Sequence, residues 1–415
     1  MFTTPCDLSV LVLGNGSPSF HRLKSYEWEA PLPITYSGKK LMASKRPSWT
    51  EQRISRHILS IPPYVPGKPV AEVTRELGIP EAIKMASNEN PLGPSPLAVK
   101  AVETHLLQSH VYPESSATEL RAALASRFGL SPDSIIFGNG SDEIMEMVSH
   151  VFLQMGDEAV MAANAFSMYR ICVEAFGGKA VRVPLRDYRS DLSAMVRGVT
   201  DRTKLVFLAV PNSPTGTIVS CSEFESFLKD LPKGQLVLVL DEAYREYVQE
   251  PDCPDGVKYI GSDLPILVLR TFSKIYGLAG LRVGYGLGDP WLIELLNRVR
   301  PPFNVNALAQ AAAAAALDDV EHLKRSRTMT HSGMAYIVRE LNEMGLETIP
   351  SQANFVSFCW DRNAKPLYEA LLREGVIVRH LSSFGMENCI RVSVGREDEN
   401  KRFIAALKKT LPTIR

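Results

Sequence analysis

Three runs, Lys204–Val210, Gln235–Leu240 and Pro265–Thr271, restrict what this chain can fold into more than any other feature. Each is largely apolar and rich in Val, Leu or Ile. None alternates apolar with polar residues, as a strand wetted on one face would. Strands of this kind are buried on both sides, which requires a mostly parallel sheet covered by helices. Ser134–Phe137, Glu158–Met161 and Ala180–Val183 read as further strands. Asp142–Gln154 and Ser167–Phe176 read as helices between them, the first with Ile144, Met147, Val148 and Val151 at helical spacing. The class is α/β.

The character changes after Pro301-Pro302. Ala307–Leu317 is an alanine-rich helix and Asp318–Met344 a long amphipathic one. Asn354–Phe358, Val376–Val378 and Cys389–Val394 read as strands, with helices over Lys365–Glu374 and Asp398–Leu407. The expected organisation is a poorly ordered extension over 1–50, an arm over 51–86 that packs on a small domain, a large domain over 87–300, and a small α+β domain over 301–415. Within the extension, Leu8–Leu13 has no basic residue before it, which fits a signal peptide poorly. Met42 offers an alternative start.

Forty-six basic and 46 acidic residues cancel. That balance favours neither nucleic acid nor an anionic membrane. No apolar run approaches the ~20 residues of a membrane span. The cysteines (Cys6, Cys172, Cys221, Cys253, Cys359 and Cys389) are scattered with no C-x-x-C pair, and the histidines form no ligand motif. These patterns argue against a disulfide framework and against a metal site, and for a reducing, cytoplasmic setting.

The chemistry gathers at strand ends. Gly138-Asn139-Gly140-Ser141-Asp142-Glu143 turns a strand into a helix, with Ser141 expected as N-cap and free N–H groups facing an anion. Val210-Pro211-Asn212-Ser213-Pro214-Thr215-Gly216 is a stiff loop that offers the Asn212 amide. In Leu240-Asp241-Glu242-Ala243-Tyr244, a carboxylate ends an apolar strand and therefore needs a partner. Thr271, Ser273 and Lys274 end another such strand, and Arg282 follows after a glycine-containing turn. Each motif alone has an ordinary reading as a cap, a turn or a surface lysine. Together, and in this order, they offer a phosphate cradle, a counter-ion for a ring nitrogen, a donor for a ring oxygen and a nucleophilic amine. That set complements pyridoxal 5′-phosphate.

From about Ile58 to Leu407 the chain resembles the fold-type I, class I/II aminotransferases, and within them the branch that acts on histidinol phosphate. The resemblance rests on Met85–Pro94 (M-A-S-N-E-N-P-L-G-P), Tyr112-Pro113, the Gly140–Glu143 turn, the Pro-Asn-x-Pro-Thr-Gly loop, Asp241–Tyr244, Ser273-Lys274 and Cys389–Gly395. It implies a mostly parallel seven-stranded sheet and a homodimer with shared active sites. Lys274 would join the cofactor aldehyde, Asp241 would keep the ring nitrogen protonated, and Tyr244 and Asn212 would bond the ring oxygen. Phe166 would stack on the ring, where relatives often carry Tyr. Ser141, Asp142, Glu143, Thr271, Ser273 and Arg282 would surround the phosphate, with Tyr112 arriving from the neighbouring subunit. Arg391 would grip the carboxylate of glutamate, and Tyr64 and Arg379 the phosphate of histidinol phosphate, with Asn90 on the substrate side. The implied reaction exchanges amines between histidinol phosphate and 2-oxoglutarate, in histidine biosynthesis. An aromatic or broad-specificity aminotransferase and a threonine-phosphate decarboxylase are alternatives on the same frame. A DNA-binding regulator would need a helix-turn-helix module, and residues 1–50 are too short and too proline-rich for one.

Overall fold

The structure is a computed structural model that describes residues 53–64 and 66–414. The expected extension over 1–50 lies outside the described residues. Strand β1 (Ile83–Lys84) comes first. Seven strands then form one sheet: β2 (Ile135–Gly138), β3 (Glu158–Ala162), β4 (Lys179–Val183), β5 (Thr203–Ala209), β6 (Val237–Asp241), β7 (Ile266–Thr271) and β8 (Gly284–Leu287). Their order is β2-β8-β7-β6-β5-β3-β4. Every pairing is parallel except those of β8, which runs antiparallel to both β7 and β2.

The apolar runs behave as their composition demands. Strands β6 and β7 are buried at every position. Successive side chains go to opposite faces. Leu205, Phe207, Val237, Val239, Leu267 and Leu269 pack against Ile144, Val148 and Val173 of the helices Ser141–Phe152 and Ser167–Ala175. Val206, Leu208, Leu238, Leu240 and Val268 pack on the other side, with Phe224, Phe227 and the alanines of the helix Ala307–Asp318. The alanine-rich helix beyond Pro302 thus shares its core with the seven-stranded sheet. Each such buried Val, Leu or Phe contributes roughly 1.5–3 kcal/mol.

Strand β8 has no counterpart in the sequence reading. Its Gly284 and Gly286 weaken any strand signal. Packing explains them. A Cβ on Gly284 would lie 2.5 Å from the Ser141 nitrogen and 2.7 Å from the Gly140 carbonyl carbon. Strand β8, next to the edge strand β2, and the start of the helix Ser141–Phe152 therefore meet backbone to backbone.

A second sheet follows: β9 (Glu347–Ile349), β10 (Phe355–Cys359), β12 (Arg379–His380) and β13 (Cys389–Ser393), all antiparallel in the order β12-β13-β10-β9. Val356, Phe358, Ile390 and Val392 form its core with Leu367, Leu371, Phe403 and Leu407. Strand β11 (Val376–Ile377) pairs in parallel with β1, and Met85 joins that core. Cys359 and Cys389 stand opposite each other on β10 and β13 and form a disulfide, with Cα atoms 4.1 Å apart. This corrects the reading of the cysteines as scattered: thirty residues of sequence separate them, but antiparallel register does not. Among the described residues, no helix is long and apolar enough to cross a membrane, and no cluster of potential ligands could hold a metal ion.

Gly284→Ala is expected to destabilise the fold by about 1–3 kcal/mol, because the added methyl meets backbone that cannot swing aside. Urea unfolding followed by circular dichroism measures this as a lower midpoint at unchanged slope.

Candidate active site

A cleft of about 230 Å³ opens where the parallel strands end. Asp241 closes β6, Thr271 closes β7 with Ser273 and Lys274 just beyond, and Ala209 closes β5. All of these line the cleft, as do Ser141, Asp142, Phe166, Tyr244, Arg282, Tyr64, Arg379 and Arg391. Ligands of open α/β sheets bind at this edge, where strand ends release loops.

One corner is built for an anion. The helix Ser141–Phe152 begins after Gly140, its N-cap, and no side chain caps it. Ser141 is thus the first helical residue and not the expected cap, which leaves the N–H groups of the first turn free. Arg282 reaches the corner from a left-handed backbone (φ 55°), unusual for a non-glycine residue. It donates to Ser273 Oγ at 3.2 Å and pairs with Asp142 at 3.3 Å. Gly140 makes room for it, because a Cβ there would lie 2.3 Å from Arg282 Nη2. Thr271 Oγ1 accepts from the Ser273 N–H at 3.1 Å and shapes the turn.

The cleft floor holds the titratable groups. Asp241 is buried, and burial drives its carboxyl up to about 6. Hydrogen bonds from the Tyr169 hydroxyl (2.5 Å) and the Ala243 N–H (3.0 Å) work against that rise. Burial also pushes the Tyr244 phenol up. Nearby Lys274 and Arg391, with a bond from Asn88 Nδ2 at 2.8 Å, more than offset this and leave it below its usual value. The Lys274 ammonium lies 5.4 Å from the Tyr244 ring centre and 3.4 Å from the Ser87 carbonyl.

The far wall carries two arginines. Arg379 on β12 and Arg391 on β13 face each other in register. Like charges directly opposite destabilise a sheet unless an anion sits between them. Arg391 is buried over the Phe355 ring and donates to Ser213 Oγ and the Ala86 carbonyl. Its Nε has no partner among the described residues. Arg379 lies over Phe384 and donates to Ser383 Oγ. Tyr64 meets Phe166 edge-on.

Four expected residues stand elsewhere. Asn90 does not line the cleft. Its amide is spent on the Ile275 carbonyl, Ser326 Oγ and the Leu92 N–H. Asn88, two residues earlier, faces Tyr244 instead. Glu143 points away and accepts from the Asn139 N–H and Asn304 Nδ2, bracing the turn. Asn212 lies between the lining residues Pro211 and Ser213. Its Nδ2 is bonded to the Asn164 carbonyl and Thr215 Oγ1, while its Oδ1 lacks a partner. Tyr112 is exposed and stacks on Phe303 beside a separate surface hollow. His380 donates from Nε2 to the Glu387 carbonyl at 2.9 Å and does not line the cleft. Sequence reasoning missed Tyr169 and Asn88. Tyr169 stands three residues after Phe166, one helical turn away, and that spacing was the available signal.

Residues 80–407 match the model of the family Aminotransferase class I and II. The chain is 45% identical to the histidinol-phosphate aminotransferase of Moorella thermoacetica, over 91% of this chain and 98% of that protein. It is 47% identical to one from Pseudomonas fluorescens, over 85% of this chain and 96% of that protein. A crystal structure of histidinol-phosphate aminotransferase from Sinorhizobium meliloti in complex with pyridoxal-5′-phosphate superposes with a TM-score of 0.82. That pair shares 28% identity and covers 88% of this chain and 98% of the other.

Arg282→Gln is expected to weaken binding of pyridoxal 5′-phosphate to the apoprotein by roughly 10- to 100-fold, through loss of a charge-assisted bond. Pyridoxal without its phosphate should lose far less. Fluorescence titration with both ligands measures the difference.

Proposed function

This chain belongs to the class I and II aminotransferases and, within them, to the histidinol-phosphate aminotransferases; on that premise we propose that it exchanges amines between histidinol phosphate and 2-oxoglutarate, giving imidazole-acetol phosphate and glutamate. The observation that carries the substrate reading is the Arg379–Arg391 pair, in register on adjacent strands and both in the cleft. One site must accept a carboxylate from one substrate and a phosphate from the other, and two guanidiniums suit both.

Pyridoxal 5′-phosphate fits the residues present. Each of its polar groups has a counterpart: the helix start with Ser273 and Arg282 for the phosphate, Asp241 for the ring N–H, Tyr244 for the ring oxygen and Lys274 for the aldehyde. Gly140 keeps the phosphate corner open. When bound, this cofactor supplies a protonated pyridine that accepts the electron pair of the substrate's Cα–H bond.

The protein's own residues do the rest. Lys274 is the amine that reacts with the aldehyde. Its amine would also be the base that moves the substrate's Cα proton. Asp241 holds the proton on the ring nitrogen, a role that requires its ionised form. Tyr244 donates to the ring oxygen, because Asn88 donates to its hydroxyl and leaves the phenol proton free. Phe166 is a flat apolar wall for the ring. Buried Arg391 grips the substrate carboxylate, while Arg379 and Tyr64 at the mouth receive the distal phosphate.

A homodimer in the cytoplasm belongs to this reading. Leu107 and Tyr112 are 88% and 80% exposed. An apolar hollow of about 290 Å³ lies among Pro94, Val99, Val102, Leu278 and Leu281. A second copy would cover this face and bring its own Tyr112 toward the cofactor phosphate.

Lys274→Ala is expected to lose at least about a thousandfold of amino transfer from glutamate, as removal of a nucleophile and base does. Retained transfer would rule out the role. Arg379→Gln should raise KM for histidinol phosphate about tenfold or more while changing that for glutamate little. Mixing Lys274→Ala protomers with Tyr112→Ala protomers should restore activity, because each mixed dimer carries one intact site. No recovery, in protein that sedimentation shows to be dimeric, would mean that sites are not shared.

A further inference from the structure

We infer that Tyr169 is a positioning residue for the cofactor's ring nitrogen, acting through Asp241: its buried hydroxyl fixes the rotation of that carboxylate and keeps it ionised. The inference rests on the assignment of Asp241 to the ring N–H made above. Tyr169 is 1% exposed, on the helix Ser167–Ala175. Its hydroxyl donates to Asp241 Oδ2 at 2.5 Å. The ring is clamped on two sides, stacked on Phe207 at 5.1 Å and met edge-on by Phe166 at 5.8 Å. The donor therefore cannot swing away.

Asp241 has few other ways to hold its charge. Its Oδ1 takes the Ala243 N–H. With one donor on each oxygen, the carboxylate has a set orientation and keeps lone pairs for a further N–H. The charged groups that face it are Asp142 from the helix Ser141–Phe152, which opposes ionisation, and Lys274 from the loop after β7, which favours it. Tyr244 and Asp142 also face Tyr169. Burial and the Asp241 charge hold the Tyr169 phenol well above its ordinary value, so it remains a donor throughout the working pH range.

The sign of the effect follows. A carboxyl that must be ionised to receive the ring N–H loses the cofactor as pH falls through its own titration. Removing a donor to the charged form makes that loss begin at higher pH. In Tyr169→Phe apoprotein, pyridoxal 5′-phosphate should bind about 3- to 10-fold more weakly at pH 7. The acid fall-off of affinity should move alkaline by about half to one pH unit. Binding is read by quenching of protein fluorescence, independently of turnover. Phe207→Leu, which loosens one side of the clamp and leaves the hydroxyl, should move the fall-off in the same direction by less. In an Asp241→Asn background, Tyr169→Phe should change affinity no further. A Tyr169→Phe protein with wild-type affinity and an unmoved fall-off would overturn the inference. So would additive effects in the double variant. Should Tyr169→Phe fail to fold, 3-fluorotyrosine at position 169 keeps the size and strengthens the donor. The fall-off must then move to lower pH, and an unmoved one would overturn the inference equally. If wild-type apoprotein itself binds no pyridoxal 5′-phosphate, the cofactor reading fails instead, and the two failures are told apart.

Discussion

The arrangement turns on the burial of one carboxylate. Asp241 ends a strand that is enclosed along its whole length, and water does not stabilise its charge there. Burial alone favours the neutral acid. The molecule opposes this with short bonds from a clamped phenol and a backbone N–H, and with an ammonium across the cleft. In the proposed function a protonated pyridine would complete the compensation. The dipoles around Asp241 all point to the place where its charge sits.

Two further constraints converge on the same place. The anion corner needs β8 and the helix start to touch, which glycine at 284 permits, and needs room for Arg282, which glycine at 140 leaves. The substrate wall needs two guanidiniums side by side, which the register of β12 with β13 supplies. Asn88 ties these regions together. It donates to Tyr244 near the cofactor and exchanges bonds with Ser393 on β13. Loosening this residue would disturb the ring-oxygen donor and the arginine wall at once.

Much of this was legible in the chain. The strands β5, β6 and β7 announced themselves by unbroken apolar runs, because burial on both faces leaves no polar position. Asp241, Tyr244, Ser273 and Lys274 sit at or just beyond the ends of such runs, and chain order alone puts them at one end of the sheet. What stayed hidden was short, glycine-rich or dependent on orientation. Strand β8 lacks the side chains that mark a strand. Asn88 and Asn90 are two residues apart in one motif, and only the turn's conformation decides which faces the cleft. Asn88 adopts the left-handed region (φ 57°) and is turned inward, while Asn90 is consumed by backbone and Ser326.

By itself, then, the sequence determined the layered α/β frame, the sheet edge at which reactive groups collect, and that Lys274, Asp241 and Arg282 would meet there. These follow from local pattern, since apolar continuity sets burial and chain order sets which strand end bears which residue. Tertiary structure alone decided the Tyr169–Asp241 bond, the facing of Arg379 with Arg391 and the pairing of Cys359 with Cys389. Each joins residues far apart along the chain, or on different elements, through strand register and helix rotation. Those quantities come from the packing of the whole core and are written in no single stretch of residues.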